Sequence, residues 1–294
     1  MSEIRSEIRS EIRKVGVVGC GVMGSGIAEA CARAGLDVLV AVSTEASIEP
    51  ARRRLLRWLD GGVRKGTVTE AGRDEALARV SFVTDLGELA GRQIVFESVP
   101  EIESVKLEVL GAIDKILRAD DAVIATNTSS IPIIRLARAT SRPDRVIGVH
   151  FFNPVPALAL VEVIGSLLTA RETCERVEAF VAGTLGKQVI RSQDRAGFVV
   201  NALLIPFLLS AVRMVETGFA SADVVDKGMT LGCSHPMGPL RLADLIGLDT
   251  VASIADALYE EFKEPLYTPP PLLLRMVEGG LLGKKSGRGF YEYP

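Results

Sequence analysis

The motif Gly-x-Gly-x-x-Gly at Gly19, Gly21 and Gly24 constrains the fold of this chain more than any other feature. A valine-rich run leads into it, and an amphipathic segment opened by Val22 and Met23 follows. Gly19 permits a tight strand-to-helix turn, Gly21 the approach of a pyrophosphate, and Gly24 the close packing of helix on strand. The phosphates would lie on the free N–H groups at the start of the helix. A purely structural glycine turn is the alternative, but strand, motif and helix follow the order that dinucleotide binding requires.

The length and composition of the chain are those of an ordinary globular protein of about two domains. It has 294 residues, of which 48% are hydrophobic and 24% charged, with a net charge of −3. This acidic balance argues against a nucleic-acid partner, and no apolar run is long enough to span a bilayer. The N-terminus lacks the apolar segment of a secretory signal, and four cysteines without metal-ligand spacing indicate a reducing compartment. We therefore expect a cytoplasmic protein without a metal or a membrane partner.

Strand and helix signals alternate through the first two thirds of the chain. They predict an α/β Rossmann-type fold with a doubly wound, mostly parallel sheet, followed by an all-helical C-terminal domain. The predicted parts are a disordered or frayed tail of Ser-Glu-Ile-Arg repeats at 1–13, a dinucleotide-binding domain at 14–194 and a helical domain for substrate binding and dimerisation at 195–294. Among the predicted helices are 51–60, 172–185, 198–216 and 241–262.

His150 is one of only two histidines, and it ends a predicted strand at the carboxyl edge of the sheet, where ligands of such folds bind. Glu162 follows beyond a proline turn, in the next predicted strand. A strand–turn–strand arrangement brings the carboxylate to the imidazole, where it fixes the tautomer and supports the imidazolium. The pair is a candidate general acid/base. The alternative is a core histidine with a structural partner, and His235 is better explained by packing or a helix start.

Two further polar side chains are candidates for contact with a substrate oxygen. Ser129 lies in Asn127-Thr128-Ser129-Ser130, directly after a predicted strand, so its hydroxyl is at the same edge of the sheet. Capping of the next helix is the alternative role for these residues. Asn201 lies near the start of the helical half, where its amide would act across a cleft between the domains.

A basic segment follows the second predicted strand. It includes Arg54, Arg57, Arg64 and Lys65. The functional interpretation is a rim for a phosphorylated substrate handle, and the alternative is a solvated helix face.

From Lys14 to Tyr293 the sequence resembles the short-chain 3-hydroxyacyl-CoA (3-hydroxybutyryl-CoA) dehydrogenases. The motifs that carry the resemblance are Gly19-x-Gly-x-x-Gly24, Asn127-Thr-Ser-Ser130, His150-Phe-Phe-Asn-Pro154, Leu160-Val-Glu162, Gly197-Phe-Val-Val-Asn201, His235-Pro-Met-Gly-Pro239 and Lys285-Ser-Gly-Arg-Gly-Phe-Tyr291. They occur in order over nearly the whole chain.

The resemblance implies that His150 is the catalytic acid/base and Glu162 its orienting partner. It implies that Ser129 and Asn201 bind the 3-oxygen of an acyl-CoA substrate, and that the basic rim holds the CoA. It also implies a homodimer formed through the helical domain. The positions matched in the cofactor site, the first two near the nicotinamide ribose, are Glu101, Lys106 and Asn127.

One position departs from the family pattern. The family usually has Asp or Glu at the end of the second strand, where it holds the adenosine ribose, and this chain has Val42. The substitution removes the charge that repels a 2′-phosphate, and Ser43 and Thr44 would donate hydrogen bonds to one. No arginine stands at the turn itself, so we predict that NADP is favoured over NAD with relaxed specificity.

The predicted activity is the interconversion of 3-hydroxyacyl-CoA, in particular 3-hydroxybutyryl-CoA, and 3-oxoacyl-CoA with NAD(P)(H). One alternative is a related β-hydroxyacid dehydrogenase that acts on a non-CoA acid and needs no basic rim. The other is a catalytically silent dinucleotide-binding protein, against which the His150–Glu162 pair and Ser129 argue.

Overall fold

The computed structural model describes residues 11–293. They belong to two compact units that divide between Arg195 and Ala196, one residue beyond the predicted boundary. Most of the predicted tail, residues 1–10, lies outside the described residues. Ile12 is buried, and the backbone N–H of Arg13 donates to the Gln93 side chain, so the packed part of the chain begins before Lys14.

The described part of the first unit contains one eight-stranded sheet. Its strands are β1 (Lys14–Val18), β2 (Asp37–Ala41), β3 (Val80–Val83), β4 (Ile94–Glu97), β5 (Val123–Thr126), β6 (Val146–Phe151), β7 (Leu160–Gly165) and β8 (Gln188–Gln193). The strand order is β3-β2-β1-β4-β5-β6-β7-β8, and every neighbouring pair is parallel except β6 with β7. The predicted doubly wound, mostly parallel sheet is confirmed. Successive strands are added on one side of β1 up to β3 and on its other side from β4 onward. The glycine-rich turn after β1 therefore lies at the switch point of the sheet, where ligands of such folds bind.

Helices cover the sheet of the first unit. They are α1 (Val22–Arg33), α2 (Glu45–Arg64), α3 (Glu70–Ala78), α4 (Glu103–Ile116), α5 (Ile133–Ala137) and α6 (Arg171–Ala179). The central strands are buried on both faces, which is why they are runs of Val, Ile, Leu and Ala without alternation.

The bounds predicted for one helix in this unit are wrong, and a second predicted helix is α-helical over only part of its length. The helix predicted at 51–60 is longer in the structure, where it is α2 (Glu45–Arg64). Pro50 and Gly61 tend to end a helix, but the burial of Ala51, Leu55 and Leu59 outweighs that tendency. The helix predicted at 172–185 ends as an α-helix at Ala179 and continues as one π-helical turn.

The second unit is all-helical in its regular structure, as predicted. Its helices are α7 (Val200–Glu216), α8 (Ala222–Gly232), α9 (Pro239–Ile246), α10 (Leu248–Phe262) and α11 (Pro271–Glu278). The single helix predicted at 241–262 is wrong: Gly247 has φ of +104°, a conformation that no helix accommodates, and it divides α9 from α10.

Two buried aspartates explain the glycine- and tyrosine-rich motifs of the second unit. Asp226 accepts hydrogen bonds from the N–H of Leu240 at 2.8 Å and from the Tyr291 hydroxyl at 2.8 Å. Asp244 accepts from the N–H of Tyr291 at 3.0 Å and from the Tyr293 hydroxyl at 3.0 Å. Satisfied in this way, the buried carboxylates hold the C-terminal segment on α8 and α9. We interpret these motifs as structural.

Candidate active site

The Gly-x-Gly-x-x-Gly turn joins β1 to α1, as predicted. Gly19 has φ of +88°, and a Cβ there would lie 2.7 Å from the Ser98 carbonyl oxygen. A Cβ at Gly24 would overlap the Gly19 carbonyl oxygen, so only glycine lets α1 lie this close to the turn. A Cβ at Gly21 would meet nothing within 4 Å, which leaves open space over the backbone where a phosphate would approach.

The start of α1 offers its backbone N–H groups without competition from a side chain. Gly21 is the N-cap residue and makes no side-chain capping bond, and the first turn carries no acidic residue. Val22 is 53% exposed at this end, whereas Met23 packs on the core. Free N–H groups and the positive end of the helix dipole favour an anion here. The residues present therefore fit the diphosphate of a dinucleotide.

His150 and Glu162 face each other across the one antiparallel strand pair of the sheet. The register of β6 and β7 places them directly opposite, and His150 Nδ1 lies 2.7 Å from Glu162 Oε2. The histidine is 4% exposed and the glutamate 0%. Because an ionised carboxylate only accepts hydrogen bonds, Nδ1 carries the proton, and Nε2 is the nitrogen left to exchange one.

Ser129 lies at that second nitrogen. Its Oγ is 3.1 Å from His150 Nε2, because the parallel strands β5 and β6 end side by side at the same edge. The hydroxyl donates to Nε2 of the neutral ring and accepts from the imidazolium. The Phe152 ring packs edge-on against the imidazole, with 4.7 Å between centroids. The structure thus brings together three of the four predicted catalytic side chains.

Asn127 has a bridging position between two strands. Its Oδ1 accepts the backbone N–H of Phe151 at 2.9 Å, so the end of β5 is tied to the residue after His150. The backbone N–H of Asn127 donates to the Glu97 carbonyl oxygen. Contact of Asn127 with a cofactor stays a prediction.

Glu101 holds the loop that carries Ser129. Its carboxylate accepts from the Thr128 hydroxyl at 2.5 Å, and from the N–H groups of Ser129 at 2.8 Å and Ser130 at 3.1 Å. Burial disfavours the charged form, but the Lys106 ammonium and these hydrogen bonds outweigh it and lower the pKa of Glu101. The predicted cofactor residue is thus also the anchor of the Ser129 loop.

The sequence interpretation missed Glu97, the partner of Lys106. Glu97 ends β4 and is 0% exposed, and Lys106 is 1% exposed. The Lys106 ammonium lies 2.8 Å from Glu97 Oε1 and 3.3 Å from Glu101 Oε2. Thr126 adds a hydroxyl bond of 2.7 Å to Glu97 Oε2. An acidic residue in an otherwise apolar strand end was the available signal.

The end of β2 differs in one respect from the expectation. Val42 follows the strand, and its side chain is 8% exposed and belongs to the hydrophobic core. Ser43 and Thr44 are exposed, with the Thr44 hydroxyl 2.9 Å from that of Ser47. Glu45, the first residue of α2, accepts from the Thr84 hydroxyl. The exposed hydroxyls thus lie where the sequence predicted them, beside one carboxylate that it did not consider.

The predicted basic rim divides into two parts. Arg54 and Arg57 line a shallow pocket with Val22, Ser25 and Trp58, between α1 and α2. Arg64 and Lys65 lie at the exposed far end of α2, about 10 Å along the helix from Arg57.

Arg54 also contacts the glycine-rich turn. It donates to the Cys20 carbonyl oxygen at 2.9 Å, and Trp58 donates to the Ser25 hydroxyl at 3.0 Å. Burial raises the pKa of the Cys20 thiol to about 11, more than the nearby Arg54 lowers it, so this cysteine is a neutral thiol. The pocket beside the turn is therefore basic and aromatic.

Asn201, the fourth predicted catalytic residue, is in the second unit. It lies in the first turn of α7 and is 8% exposed. Its contact with a substrate stays a prediction.

Neither a metal cluster nor a spanning helix is found in the part of the chain that the structure describes. Within residues 11–293, no three His, Cys, Asp or Glu side chains are grouped so that they could hold a metal ion. Within the same range, no helix is long and apolar enough to cross a membrane.

Comparison with known proteins identifies relatives over nearly the whole chain. The chain is 58% identical over 282 residues to the 3-hydroxybutyryl-CoA dehydrogenase of Mycobacterium tuberculosis, which covers 96% of this chain and 99% of that protein. The crystal structure of M. tuberculosis FadB2 superposes with a TM-score of 0.96 at 57% identity, over 97% of this chain and all of that one. The (S)-3-hydroxybutyryl-CoA dehydrogenase of Ralstonia eutropha superposes with a TM-score of 0.90 at 45% identity, over the same shares.

The family profiles match both units. The NAD-binding domain of 3-hydroxyacyl-CoA dehydrogenase matches residues 14–195, and the C-terminal domain of 3-hydroxyacyl-CoA dehydrogenase matches residues 197–293. Together with the geometry of His150, Glu162 and Ser129, these matches confirm the resemblance expected from the motifs. The chain belongs to the 3-hydroxyacyl-CoA dehydrogenase family.

Proposed function

We propose that the protein is an oxidoreductase that interconverts 3-hydroxyacyl-CoA and 3-oxoacyl-CoA with NAD(P)(H), with 3-hydroxybutyryl-CoA as its substrate. The observation that carries the proposal is the position of His150 between Glu162 at 2.7 Å and Ser129 at 3.1 Å. In that position one imidazole nitrogen is held by a carboxylate and the other is presented to a substrate oxygen. Family membership supports the substrate class.

The chain's own residues perform the proton transfer. In the oxidative direction His150 Nε2 takes the proton of the 3-hydroxyl, and Glu162 stabilises the imidazolium that forms. In the reductive direction the imidazolium returns the proton to the 3-oxygen. A dinucleotide held at the glycine-rich turn of Gly19, Gly21 and Gly24 would supply the hydride chemistry at C3. Ser129 holds the 3-oxygen at Nε2.

An acyl-transfer triad has the same spatial arrangement of hydroxyl, imidazole and carboxylate as Ser129, His150 and Glu162. One feature of this site opposes that chemistry. The N–H groups of Ser129 and Ser130 donate to the Glu101 carboxylate at 2.8 and 3.1 Å. A carboxylate in that place repels the oxyanion that acyl transfer forms. Proton exchange with a 3-oxygen does not require an oxyanion site on these N–H groups, so dehydrogenation is the function that this arrangement supports best.

We also propose that the site accepts NADP(H) at least as well as NAD(H). Val42 neither holds a ribose hydroxyl nor repels a 2′-phosphate, and Ser43 and Thr44 are exposed donors beside it. Neutral hydroxyls bind phosphate more weakly than a guanidinium does, and Glu45 adds a negative charge nearby, so both features favour relaxed preference over strict selection. This assignment rests on the residues after β2.

The basic residues of α2 would bind the phosphates of the CoA. Arg54 and Arg57, beside Trp58, offer two cations next to an aromatic ring, which suits a phosphorylated adenosine. Arg64 and Lys65 extend the positive surface along the helix.

We further propose a homodimer formed through the helical unit. The unit exposes Leu203 at 73%, Phe219 at 78% and Leu231 at 83%, large apolar side chains that a partner would cover.

The test is a cofactor-oxidation assay with acetoacetyl-CoA, run with NADH and with NADPH. The proposal expects oxidation with the thioester and little with free acetoacetate, which separates it from a dehydrogenase of free acids. Release of free CoA thiol is measured in the same samples, and hydrolysis in place of reduction would support acyl transfer. Absence of turnover with either cofactor would support a catalytically silent protein.

A further inference from the structure

We propose that Glu97 is a positioning residue for the reaction: it fixes the Lys106 ammonium, and through it Glu101, so that the loop of Thr128, Ser129 and Ser130 holds the Ser129 hydroxyl at His150. The inference rests on the proposed function, and it concerns residues of the first unit alone.

Each carboxylate oxygen of Glu97 accepts two hydrogen bonds. Its Oε1 accepts from Lys106 at 2.8 Å and from the Val99 N–H at 2.7 Å. Its Oε2 accepts from Lys106 at 3.0 Å and from the Thr126 hydroxyl at 2.7 Å. These donors come from the ends of β4 and β5 and from α4, so the carboxylate joins three elements at the carboxyl edge.

The Lys106 ammonium has three N–H donors. They are directed at Glu97, at Glu101 Oε2 at 3.3 Å, and at the Val99 carbonyl oxygen at 3.4 Å. The position of the Lys106 ammonium is therefore set by Glu97 and by the Val99 carbonyl oxygen. The ammonium in turn holds one oxygen of Glu101.

Glu101 connects the Lys106 ammonium to the catalytic loop. Its other oxygen, Oε1, accepts from the Thr128 hydroxyl and from the N–H groups of Ser129 and Ser130. One carboxylate thus fixes three consecutive residues, the middle of which carries the hydroxyl that lies 3.1 Å from His150 Nε2. Charge-assisted bonds thus link Glu97 to the loop, and the Ser129 hydroxyl connects the loop to the imidazole.

Stability is a poor explanation for this arrangement. Glu97 is 0% exposed and Lys106 1%, and removing both charges from water costs about as much as their attraction returns. Hydrophobic residues of similar size would serve the core as well. What they would not supply is a fixed cation next to Glu101, which is the feature that the loop requires.

The experiment is a double-mutant cycle between Glu97→Gln and Ser129→Ala, with acetoacetyl-CoA as substrate. Glu97→Gln keeps the shape and removes the charge, and we expect kcat to fall about 10- to 100-fold with a smaller change in KM, since a misplacement of about 1 Å is worth about 100-fold. In the Ser129→Ala background the same change should have little further effect, because the group it positions is gone.

A second readout does not depend on turnover. In the protein without ligands, Glu97→Gln should speed hydrogen exchange of the Ser129 and Ser130 amides, whose N–H groups bond to Glu101. Thr126→Val removes the hydroxyl bond to Glu97, together with a 3.3 Å bond from the Thr128 N–H, and removes no charge. It should act in the same direction if Glu97→Gln fails to fold, and Thr126→Ser, which keeps both bonds, should retain the activity. Glu108→Gln, which changes an exposed glutamate of the same helix as Lys106, is the matched control.

The outcomes separate the two proposals. A wild-type protein that fails to turn over acetoacetyl-CoA with either cofactor overturns the proposed function. An active wild type with multiplicative effects of Glu97→Gln and Ser129→Ala, and with unchanged exchange in the loop, overturns the positioning role and makes Glu97 a structural residue only.

Discussion

His150 and Glu162 occupy opposite positions of the antiparallel pair β6/β7, and their side chains meet at 2.7 Å between Nδ1 and Oε2. In such a pair the Cβ atoms lie about 5 Å apart, so the contact follows from strand register and needs no loop to fold over it. A rigid sheet therefore sets the direction of the imidazole. Only the contact between Nε2 and the Ser129 hydroxyl depends on the neighbouring loop.

Replacing His150 by Gln should leave the fold and dinucleotide binding intact and lower kcat by about 10²- to 10⁴-fold, the usual contribution of general acid–base catalysis. Steady-state kinetics measure the loss, and calorimetric titration with the cofactor checks binding. His235→Gln is the matched control, since the other histidine packs against Phe207 in the second unit. Near-normal turnover in His150→Gln would exclude His150 as the proton carrier.

Replacing Glu162 by Gln keeps the hydrogen bond to Nδ1 and removes the charge that stabilises the imidazolium. We expect kcat to fall about 10- to 100-fold, matching a buried charge-assisted bond of about 1.5–3 kcal/mol. The pH profile of kcat should change as well, because the imidazolium loses its charge partner. A profile that keeps its shape and position would leave Glu162 a structural role only.

Glu101 predicts a pH-dependent contribution to stability. Its pKa is lowered in the folded protein, because the Lys106 ammonium and the loop hydrogen bonds outweigh burial. A carboxyl group whose pKa falls on folding stabilises the protein above its unfolded value, about pH 4.3, and the contribution is lost as pH falls through the lower folded value.

The comparison of wild type with Glu101→Gln should therefore show a difference in Tm that is constant above about pH 5 and shrinks below about pH 4. Thermal unfolding measured across this range tests it, with Glu108→Gln, a change of an exposed glutamate on α4, as control. A difference that grows toward acid would mean that the sign of the shift is wrong.

The dinucleotide preference is tested by Val42→Asp. The new carboxylate should shift the ratio of kcat/KM for NADPH and NADH toward NADH by about tenfold, or about 1.4 kcal/mol, through repulsion of the 2′-phosphate. Val42→Ala removes the side chain without adding a charge and should leave the ratio in place. Because Val42 is only 8% exposed, the Tm of each variant is measured too. An unchanged ratio in folded Val42→Asp would show that residue 42 does not face the adenosine ribose.

The oligomeric state is tested on the exposed leucine of α7. Leu203→Glu places a charge on the apolar surface proposed for the dimer and should convert it to a monomer in light scattering at micromolar concentration. Leu167→Glu changes a leucine that is 94% exposed in the first unit and should leave the dimer unchanged. A wild-type protein that is already monomeric at this concentration contradicts the proposal.

The sequence alone determined those features that depend on local chemistry and on periodicity. The glycine-rich turn can be predicted from the sequence because each glycine meets a steric requirement at a fixed spacing, as Gly19 and Gly24 show. The sheet followed from the alternation of apolar runs with helices. His150 and Glu162 were paired from their positions in two strands joined by a turn, since strand register is a regular repeat.

Tertiary structure alone decided the features that depend on long-range burial. Nothing in the spacing of Glu97, Glu101 and Lys106 indicates that one ammonium serves two carboxylates, because the pairing depends on how β4 and α4 pack. The length of α2 was set by burial of Leu55 and Leu59, which outweighed a proline and two glycines. Gly247 divides two helices because the chain must reverse there, and an apolar repeat that runs on through a glycine does not show that requirement. Local patterns specify which elements form, whereas the partners of a buried charge are chosen by the whole packed unit.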